Sequence, residues 1–285
     1  MLGGRERKIK EGTWTMVEQL DEARARSQRV WAAGNFARIG AFTTTPAERL
    51  VEEVGLRASQ TVLDIACGNG AVTLAAARRQ AKVVGVDFVP ELLEHGRKRA
   101  ELDGLEAEFV EGDAEDLRFP DASFDVVLSQ YGVMFAANQE RAAAEMLRVC
   151  RPGGVIGLAN WTPLSFPGLL FRLGADFNPP AVPPKHPATA WGTGARVGEL
   201  LGPGCIDIRI VDAVFRQCFP DFETYVELFS SYFGPMHLMK KALAPERWEE
   251  YVARLREAIA PYNRATDNTL DVANEFIIVV ARRKG

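Results

Sequence analysis

Between residues 61 and 160, short apolar segments alternate with helical segments, and this alternation restricts the fold more than any other feature of the chain. The apolar segments, such as Phe124–Leu128, do not show the strict every-second-residue pattern of a half-exposed strand. Nearly continuous apolar strands are expected where helices cover both faces of a parallel sheet. The sequence therefore predicts an α/β fold built on a doubly wound sheet.

The predicted elements extend beyond this region on both sides. Strands are predicted at Thr61–Ile65, Lys82–Val86, Ala107–Val110, Asp125–Ser129, Val155–Asn160, Ile206–Phe215 and Glu275–Ala281. Helices are predicted at Thr15–Trp31, Ala71–Gln80, Pro90–Asp103, Gln139–Val149, Arg196–Leu201, Phe222–Tyr232 and Pro245–Ile259. Another helix is predicted to begin after a capping Thr45 and to stop near Gly55. The proline-rich segment after Trp161 is predicted to be an irregular lid with one short helix.

Composition excludes several classes of protein. The 285 residues carry a formal net charge of −4, which does not favour binding to nucleic acid. No apolar stretch approaches the roughly 20 residues of a membrane span, and no secretory signal is present, so we expect a cytoplasmic protein. The cysteines are scattered without metal-binding spacing, so no metal site is predicted.

The strongest local signal is the sequence VLDIACGNG, which runs from Val62 to Gly70. An apolar strand ends here at Asp64 and continues into a loop in which Gly68 and Gly70 permit a tight turn and close approach of a ligand. A dinucleotide fingerprint requires a third glycine or alanine, but Thr73 occupies that position. Asp64 also disfavours a bound pyrophosphate, so the loop favours a cofactor with positively charged groups.

At these residues the chain resembles the class I S-adenosylmethionine-dependent methyltransferases, of the small-molecule type active in quinone biosynthesis. The resemblance implies a Rossmann-like, mostly parallel sheet with an antiparallel last strand and a helical lid. It also implies that the loop backbone holds the methionine portion of S-adenosylmethionine. This role falls on Asp64, Ala66, Cys67, Gly68 and Gly70, and Ala66 departs from the glycine that is commoner at its position.

Acidic residues at the ends of the next two strands extend the resemblance. Asp87 is expected to bind the ribose hydroxyls, although it could instead cap the helix that begins at Pro90. Phe88 is expected to cover the adenine. In the family, the position of Asp113 binds the adenine amino group and the next backbone amide, here that of Ala114, binds a ring nitrogen; Glu115 would lie beside them.

The fourth strand ends at Gln130 and Tyr131, which the resemblance places near the transferable methyl group. The predicted reaction is an in-line displacement that requires no protein nucleophile. His237 and Tyr131 are candidates for a base, but the sequence singles out neither. Apolar side chains in the lid favour an apolar or aromatic acceptor.

The elements predict four parts: an N-terminal helical cap segment (residues 1–45), the S-adenosylmethionine-binding core (46–161), acceptor-binding lid insertions around the sixth strand (162–270) and the final strand of the sheet (271–285). Two alternatives remain open at this point. One is an NAD-linked Rossmann oxidoreductase, and the other is a module that binds S-adenosylmethionine without catalysis. The oligomeric state is not determined by the sequence.

Overall fold

The computed structural model of the protein describes residues 16–180 and 183–285, so the first part of the predicted cap segment lies outside the described residues. The described residues form seven strands: β1 (Thr61–Ile65), β2 (Lys82–Asp87), β3 (Glu108–Glu111), β4 (Phe124–Gln130), β5 (Cys150–Trp161), β6 (Cys205–Phe219) and β7 (Leu270–Arg283). These strands make one sheet in the order β3-β2-β1-β4-β5-β7-β6.

Strands β1 to β5 are parallel to one another, whereas β7 is antiparallel to both β5 and β6. This arrangement confirms the predicted Rossmann-like sheet with an antiparallel last strand. The strand order reverses between β1 and β4, and ligands of open α/β sheets bind in the crevice at such a reversal, outside the carboxyl ends of the strands. The topology therefore places a binding crevice at the ends of β1, β2 and β4.

Helices cover both faces of the sheet and also form the lid. They are α1 (Met16–Ala32), α2 (Phe36–Gly40), α3 (Thr44–Glu53), α4 (Ala71–Arg78), α5 (Pro90–Leu102), α6 (Gln139–Val149), α7 (Phe166–Phe177), α8 (Gly194–Leu201), α9 (Phe222–Tyr232), α10 (Gly234–Ala242) and α11 (Pro245–Ile259). We use the term helical lid for α7 and α9 to α11. The lid encloses a second hydrophobic core rich in aromatic side chains, separate from the core around the sheet.

The segment after Trp161 differs from the prediction of an irregular chain with one short helix. It contains α7, a helix of 12 residues in which Pro167 occupies the first turn. The Ser165 hydroxyl accepts a hydrogen bond from the Gly168 amide and caps this helix. Proline is tolerated in the first turn because its missing N–H would have no helical partner there. The prolines that suggested irregular structure therefore include one that begins a helix.

Two further local predictions were wrong. No helix was predicted between Tyr232 and Pro245, but the residues around His237 form α10, with Pro235 again in the first turn. The helix predicted to be capped by Thr45 begins at Thr44, and no side chain caps it. A short 3₁₀ turn, Ala41–Thr43, leads directly into α3, and Thr44 donates its hydroxyl to the Ala41 carbonyl. The preceding turn therefore replaces the expected capping box.

Candidate cofactor and acceptor site

The carboxylate at the end of β1 is almost fully enclosed. Asp64 is 1% exposed, and its Oδ2 accepts a hydrogen bond of 2.6 Å from the Thr73 hydroxyl at the start of α4. Its Oδ1 has no hydrogen-bond partner among the described residues, although the residue lines a cleft. Burial, reinforced by the nearby charge of Asp87, raises the pKa of Asp64 to about 7. A ligand cation would supply the missing partner.

The loop after β1 adopts left-handed backbone conformations at three positions. Ala66 has φ of 53°, Gly68 of 55° and Gly70 of 80°. A Cβ at Gly68 would meet no atom within 4 Å, so this face of the loop is open to a ligand. A Cβ at Gly70 would lie 2.8 Å from the Phe109 ring, so this glycine serves packing against β3 and does not line the cleft.

The end of β2 is tied to the same loop through Asp87. One carboxylate oxygen accepts from the Gly68 amide at 2.8 Å, and the other accepts from the Val89 amide at 2.9 Å. Burial raises the pKa of Asp87 to about 6, against the opposing effect of these backbone donors. Asp87 therefore fixes the glycine loop and the turn before α5 while still lining the cleft.

Helix α1 closes the cleft over the residues that follow β3. The Arg24 guanidinium contacts Asp113 Oδ2 at 2.8 Å and Glu115 Oε2 at 2.7 Å. Glu115 is 2% exposed, and its other oxygen accepts from the Asn138 amide. Gln28 of the same helix donates to the Phe88 carbonyl at 2.6 Å. These contacts hold α1 across the crevice.

Ten of the eleven predicted cofactor residues line this cleft, and Gly70 is the exception: the lining includes Asp64, Ala66, Cys67, Gly68, Asp87, Phe88, Asp113, Ala114, Glu115 and Gln130. The structure adds Arg24, Ser27 and Thr43, which the sequence did not indicate. The amphipathic pattern predicted α1 itself, but nothing in it showed which surface the helix would cover.

The residues at the end of β4 connect the cleft to the lid. Gln130 donates to the Thr43 carbonyl at 2.9 Å. The Tyr131 ring stacks on Trp161 with centroids 3.6 Å apart, and its buried hydroxyl has no partner within the described part of the chain. Burial raises the pKa of Tyr131 well above its ordinary value, so the phenol stays protonated at neutral pH.

An aromatic cavity adjoins the cleft and shares Tyr131, Trp31, Phe36, Thr43 and Phe135 with it. The cavity lies between the lid and the inner face of β6 and β7. No residue of its lining carries a charged side chain. A ligand in the cleft and one in the cavity would therefore meet at Tyr131.

Three buried polar residues also line the aromatic cavity. Asn274 donates to Gln217 Oε1 at 3.2 Å, across the β6–β7 pair. Tyr225 is 1% exposed, and its hydroxyl finds no partner in residues 16–180 or 183–285. Gln217 and Asn274 were not among the predicted site residues, although each interrupts an otherwise apolar alternating face. This interruption is the sequence signal that could have identified the two residues.

Known proteins are similar to this chain in sequence and in fold. The model of the methyltransferase domain family matches residues 62–154. The protein Rv1405c of Mycobacterium tuberculosis is 34% identical over 218 residues, which cover 75% of this chain and 80% of that one. The demethylmenaquinone methyltransferase of Thermus thermophilus is 40% identical over 109 residues, which cover 38% of this chain and 50% of that enzyme. The solved structure of YcgJ from Bacillus subtilis has a TM-score of 0.57 at 19% identity and covers 85% of this chain and 99% of its own.

The phosphatidylethanolamine N-methyltransferase of Cereibacter sphaeroides is 35% identical over 141 residues, which cover 49% of this chain and 68% of that enzyme. The chain belongs to the class I S-adenosylmethionine-dependent methyltransferases. Membership of this family identifies the cofactor as S-adenosylmethionine and not a dinucleotide. The residues present fit that cofactor, because Asp64 offers an unpaired buried carboxylate oxygen to a cation and Gly68 leaves space beside the loop. The methyltransferase thus has a cleft of suitable charge at the expected strand ends.

The remaining predicted residue lies elsewhere in the methyltransferase. His237 is on α10, where its Nδ1 lies 3.1 Å from the Ser230 carbonyl oxygen. It belongs to the lining of neither the cleft nor the aromatic cavity.

The described residues contain neither a cluster suited to a metal ion nor a helix suited to cross a membrane. Within residues 16–180 and 183–285, no group of three His, Cys, Asp or Glu side chains is placed to hold a metal ion. Over the same ranges, none of the helices combines the length and apolar character that crossing a membrane requires.

Proposed function

We propose that this methyltransferase transfers the methyl group to a neutral, apolar or aromatic small molecule by in-line displacement. The observation that carries the proposal is the aromatic cavity, which adjoins the cofactor cleft at Tyr131 and has no charged side chain in its lining. Transfer of an ionic group into such surroundings without a partner is strongly unfavourable, whereas flat apolar rings gain both burial and aromatic contacts. The Thermus relative is named for demethylmenaquinone, which agrees with this class of acceptor.

We assign the cofactor to the cleft residue by residue. Asp64 Oδ1 would pair with the ammonium of the methionine portion, and the loop of Ala66, Cys67 and Gly68 would hold that portion through its backbone. Asp87 lines the cleft one strand further along and would accept from the ribose hydroxyls. Its bond to the Gly68 amide supports the assignment, because one carboxylate then fixes both the sugar and the loop.

The adenine side of the cleft is formed by the residues after β2 and β3. Phe88 would cover the adenine, while Asp113 and the Ala114 amide would bind its polar edge, with Glu115 beside them. The contacts of Arg24 with both carboxylates support this proposal, because α1 then covers the adenosine and excludes water from it.

Bound S-adenosylmethionine supplies a methyl group on a positively charged sulfur, and its transfer needs no protein nucleophile. The contribution of the protein is then to align the acceptor and to exclude water. Tyr131, protonated and unpaired at the junction of cleft and cavity, would donate a hydrogen bond that orients the acceptor. His237 is turned toward Ser230, so we propose no role for it as a base.

A matched pair of acceptors tests the proposal. The protein is incubated with S-adenosylmethionine labelled in the methyl group and with naphthalene-2,6-diol or 6-hydroxy-2-naphthoic acid, which share a ring system and one hydroxyl and differ in the second group, a neutral hydroxyl or a carboxylate. We expect transfer to the diol with kcat/KM at least about 10-fold higher than for the acid, since about 1.4 kcal/mol of unpaired charge already gives that ratio. A preference for the acid, or no transfer to any neutral phenol, quinol or aniline, would contradict the proposal.

A variant provides the second arm of the experiment. Phe171→Lys places a cation at the edge of the aromatic cavity and should shift the ratio of kcat/KM values toward the acid. Leu164→Lys is the control, because its side chain is 78% exposed and outside the cavity. An unchanged ratio in Phe171→Lys would mean that acceptors do not occupy this cavity.

A further inference from the structure

Two polar side chains stand out in the aromatic cavity because of where the sheet places them. On the buried face of β6, Gln217 lies between Phe215 and Phe219, and on the buried face of β7, Asn274 lies between Val272 and Phe276. The strand register pairs Gln217 with Val272, so the two amides are diagonal neighbours on one face. Both are more than nine-tenths buried.

The hydrogen bonds of this amide pair leave one donor group and one acceptor unused. Asn274 Nδ2 donates to Gln217 Oε1 at 3.2 Å and to the Val272 carbonyl at 3.1 Å. Neither Gln217 Nε2 nor Asn274 Oδ1 makes a hydrogen bond to any residue that the structure describes, and both residues line the cavity. A pair that served only to lock β6 to β7 would be expected to direct these two groups at each other or at the backbone, whereas both remain available at the cavity wall.

We propose that the Gln217–Asn274 pair is a specificity site, which binds a group on the methyl acceptor that both donates and accepts a hydrogen bond. A hydroxyl meets this requirement, because it can accept from Gln217 Nε2 and donate to Asn274 Oδ1. An ether or a ketone accepts only and leaves Asn274 Oδ1 unpaired. A site built to bind a hydroxyl rejects analogues that lack it, since its own buried groups are then left without partners.

This inference rests on the proposed acceptor class and narrows it. The acceptor is a neutral aromatic molecule with a hydroxyl, or an equivalent donor and acceptor group, at the end that contacts β6 and β7. This group is distinct from the atom that receives the methyl group, which must lie where the cavity meets the cofactor cleft. Selection therefore acts at two ends of the acceptor.

Binding of three naphthalene derivatives tests the proposal without turnover. Equilibrium dialysis in the presence of S-adenosylhomocysteine gives the Kd of 2-naphthol, of 2-methoxynaphthalene and of naphthalene. We expect 2-naphthol to bind about 10-fold more tightly than the other two, which corresponds to about 1.4 kcal/mol. In Gln217→Met and in Asn274→Leu this preference should fall to about 2-fold, while the Kd of naphthalene stays within about 3-fold of wild type.

Controls separate the possible outcomes. Tyr225→Phe removes another unpaired hydroxyl from the same cavity and should keep the preference for 2-naphthol. The proposal that the amide pair causes this preference would be overturned if the preference persisted in Gln217→Met and Asn274→Leu, or if Tyr225→Phe alone abolished it. Equal binding of the three compounds to wild type would refute the specificity site but not the aromatic cavity. Failure of all three to bind would refute both.

Discussion

Replacing Asp64 by Asn should stabilise the unliganded protein at neutral pH and weaken cofactor binding. Burial raises the pKa of Asp64 from 3.8 to about 7, so the folded state binds a proton that the unfolded state releases between these values. Stability contributed by this group is therefore greatest below pH 3.8 and is lost as the pH rises toward 7. Because Asn cannot ionise, the stability of the variant does not fall in this way.

The magnitude follows from the two pKa values. Between pH 5 and pH 7, the unfolding free energy of the wild type should fall by about 2 kcal/mol relative to that of Asp64→Asn. The substitution can also change the stability by an amount that does not depend on pH, for example through an unpaired amide N–H. This amount cancels when the stability difference between the two proteins at pH 5 is subtracted from that at pH 7. Asp212→Asn on β6 is the control, because its carboxylate is exposed and its replacement should change this difference far less.

Urea unfolding at pH 5, 6 and 7 without cofactor measures the stability difference, and calorimetry measures binding of S-adenosylhomocysteine. If binding requires ionised Asp64, the ratio of the wild-type affinity to that of Asp64→Asn should fall about 50-fold from pH 7 to pH 5, because Asp87, with a pKa of about 6, titrates in both proteins. A stability difference that is constant with pH would refute the buried, unpaired carboxylate. An affinity that is equal in both proteins would refute its role in binding the ammonium.

Three other variants test the cleft. Asp87→Ala removes the acceptor of the Gly68 amide and the proposed ribose ligand. Calorimetry should show at least about a 100-fold loss of S-adenosylhomocysteine affinity, while the circular dichroism spectrum stays unchanged. An unchanged affinity would contradict the ribose assignment. Gly70→Ala places a methyl group against Phe109 at positive φ and should lower the unfolding free energy by about 2–4 kcal/mol, and a loss below about 1 kcal/mol would show that the loop is not packed as described. Arg24→Ala should speed dissociation of S-adenosylhomocysteine about 10-fold in stopped-flow experiments, because α1 loses its contacts with Asp113 and Glu115; a rate equal to wild type would mean that α1 does not cover the cofactor.

The sheet and the cofactor cleft could be predicted from sequence because their signals are local. A buried parallel strand is continuously apolar, and the residues at its carboxyl end follow it directly in the chain. Asp64, Asp87 and Asp113 each follow such a strand, so one topological rule brings them to the same edge of the sheet. Gly70 was assigned to the cofactor by the same rule but packs on Phe109, because the rule does not distinguish a backbone that contacts a ligand from one that contacts a ring.

The lid and the acceptor cavity depend on contacts that are distant in sequence. Gln217 meets Asn274 only through the antiparallel register of β6 and β7, which no local pattern sets. Arg24 meets Asp113 and Glu115 only after α1 folds back across the crevice. Helix α7 was predicted only as one short helix in an irregular lid because Pro167 was interpreted as a breaker, although proline in the first turn is compatible with a helix. The predicted division into four parts remains a prediction.

The most direct measurement is a crystal structure of the protein with S-adenosylhomocysteine. The account predicts that the ammonium lies within hydrogen-bond distance of Asp64 Oδ1, that the ribose hydroxyls contact Asp87, and that the sulfur faces the aromatic cavity beside Tyr131. A ligand bound outside this cleft, or a sulfur directed away from Tyr131, would contradict it.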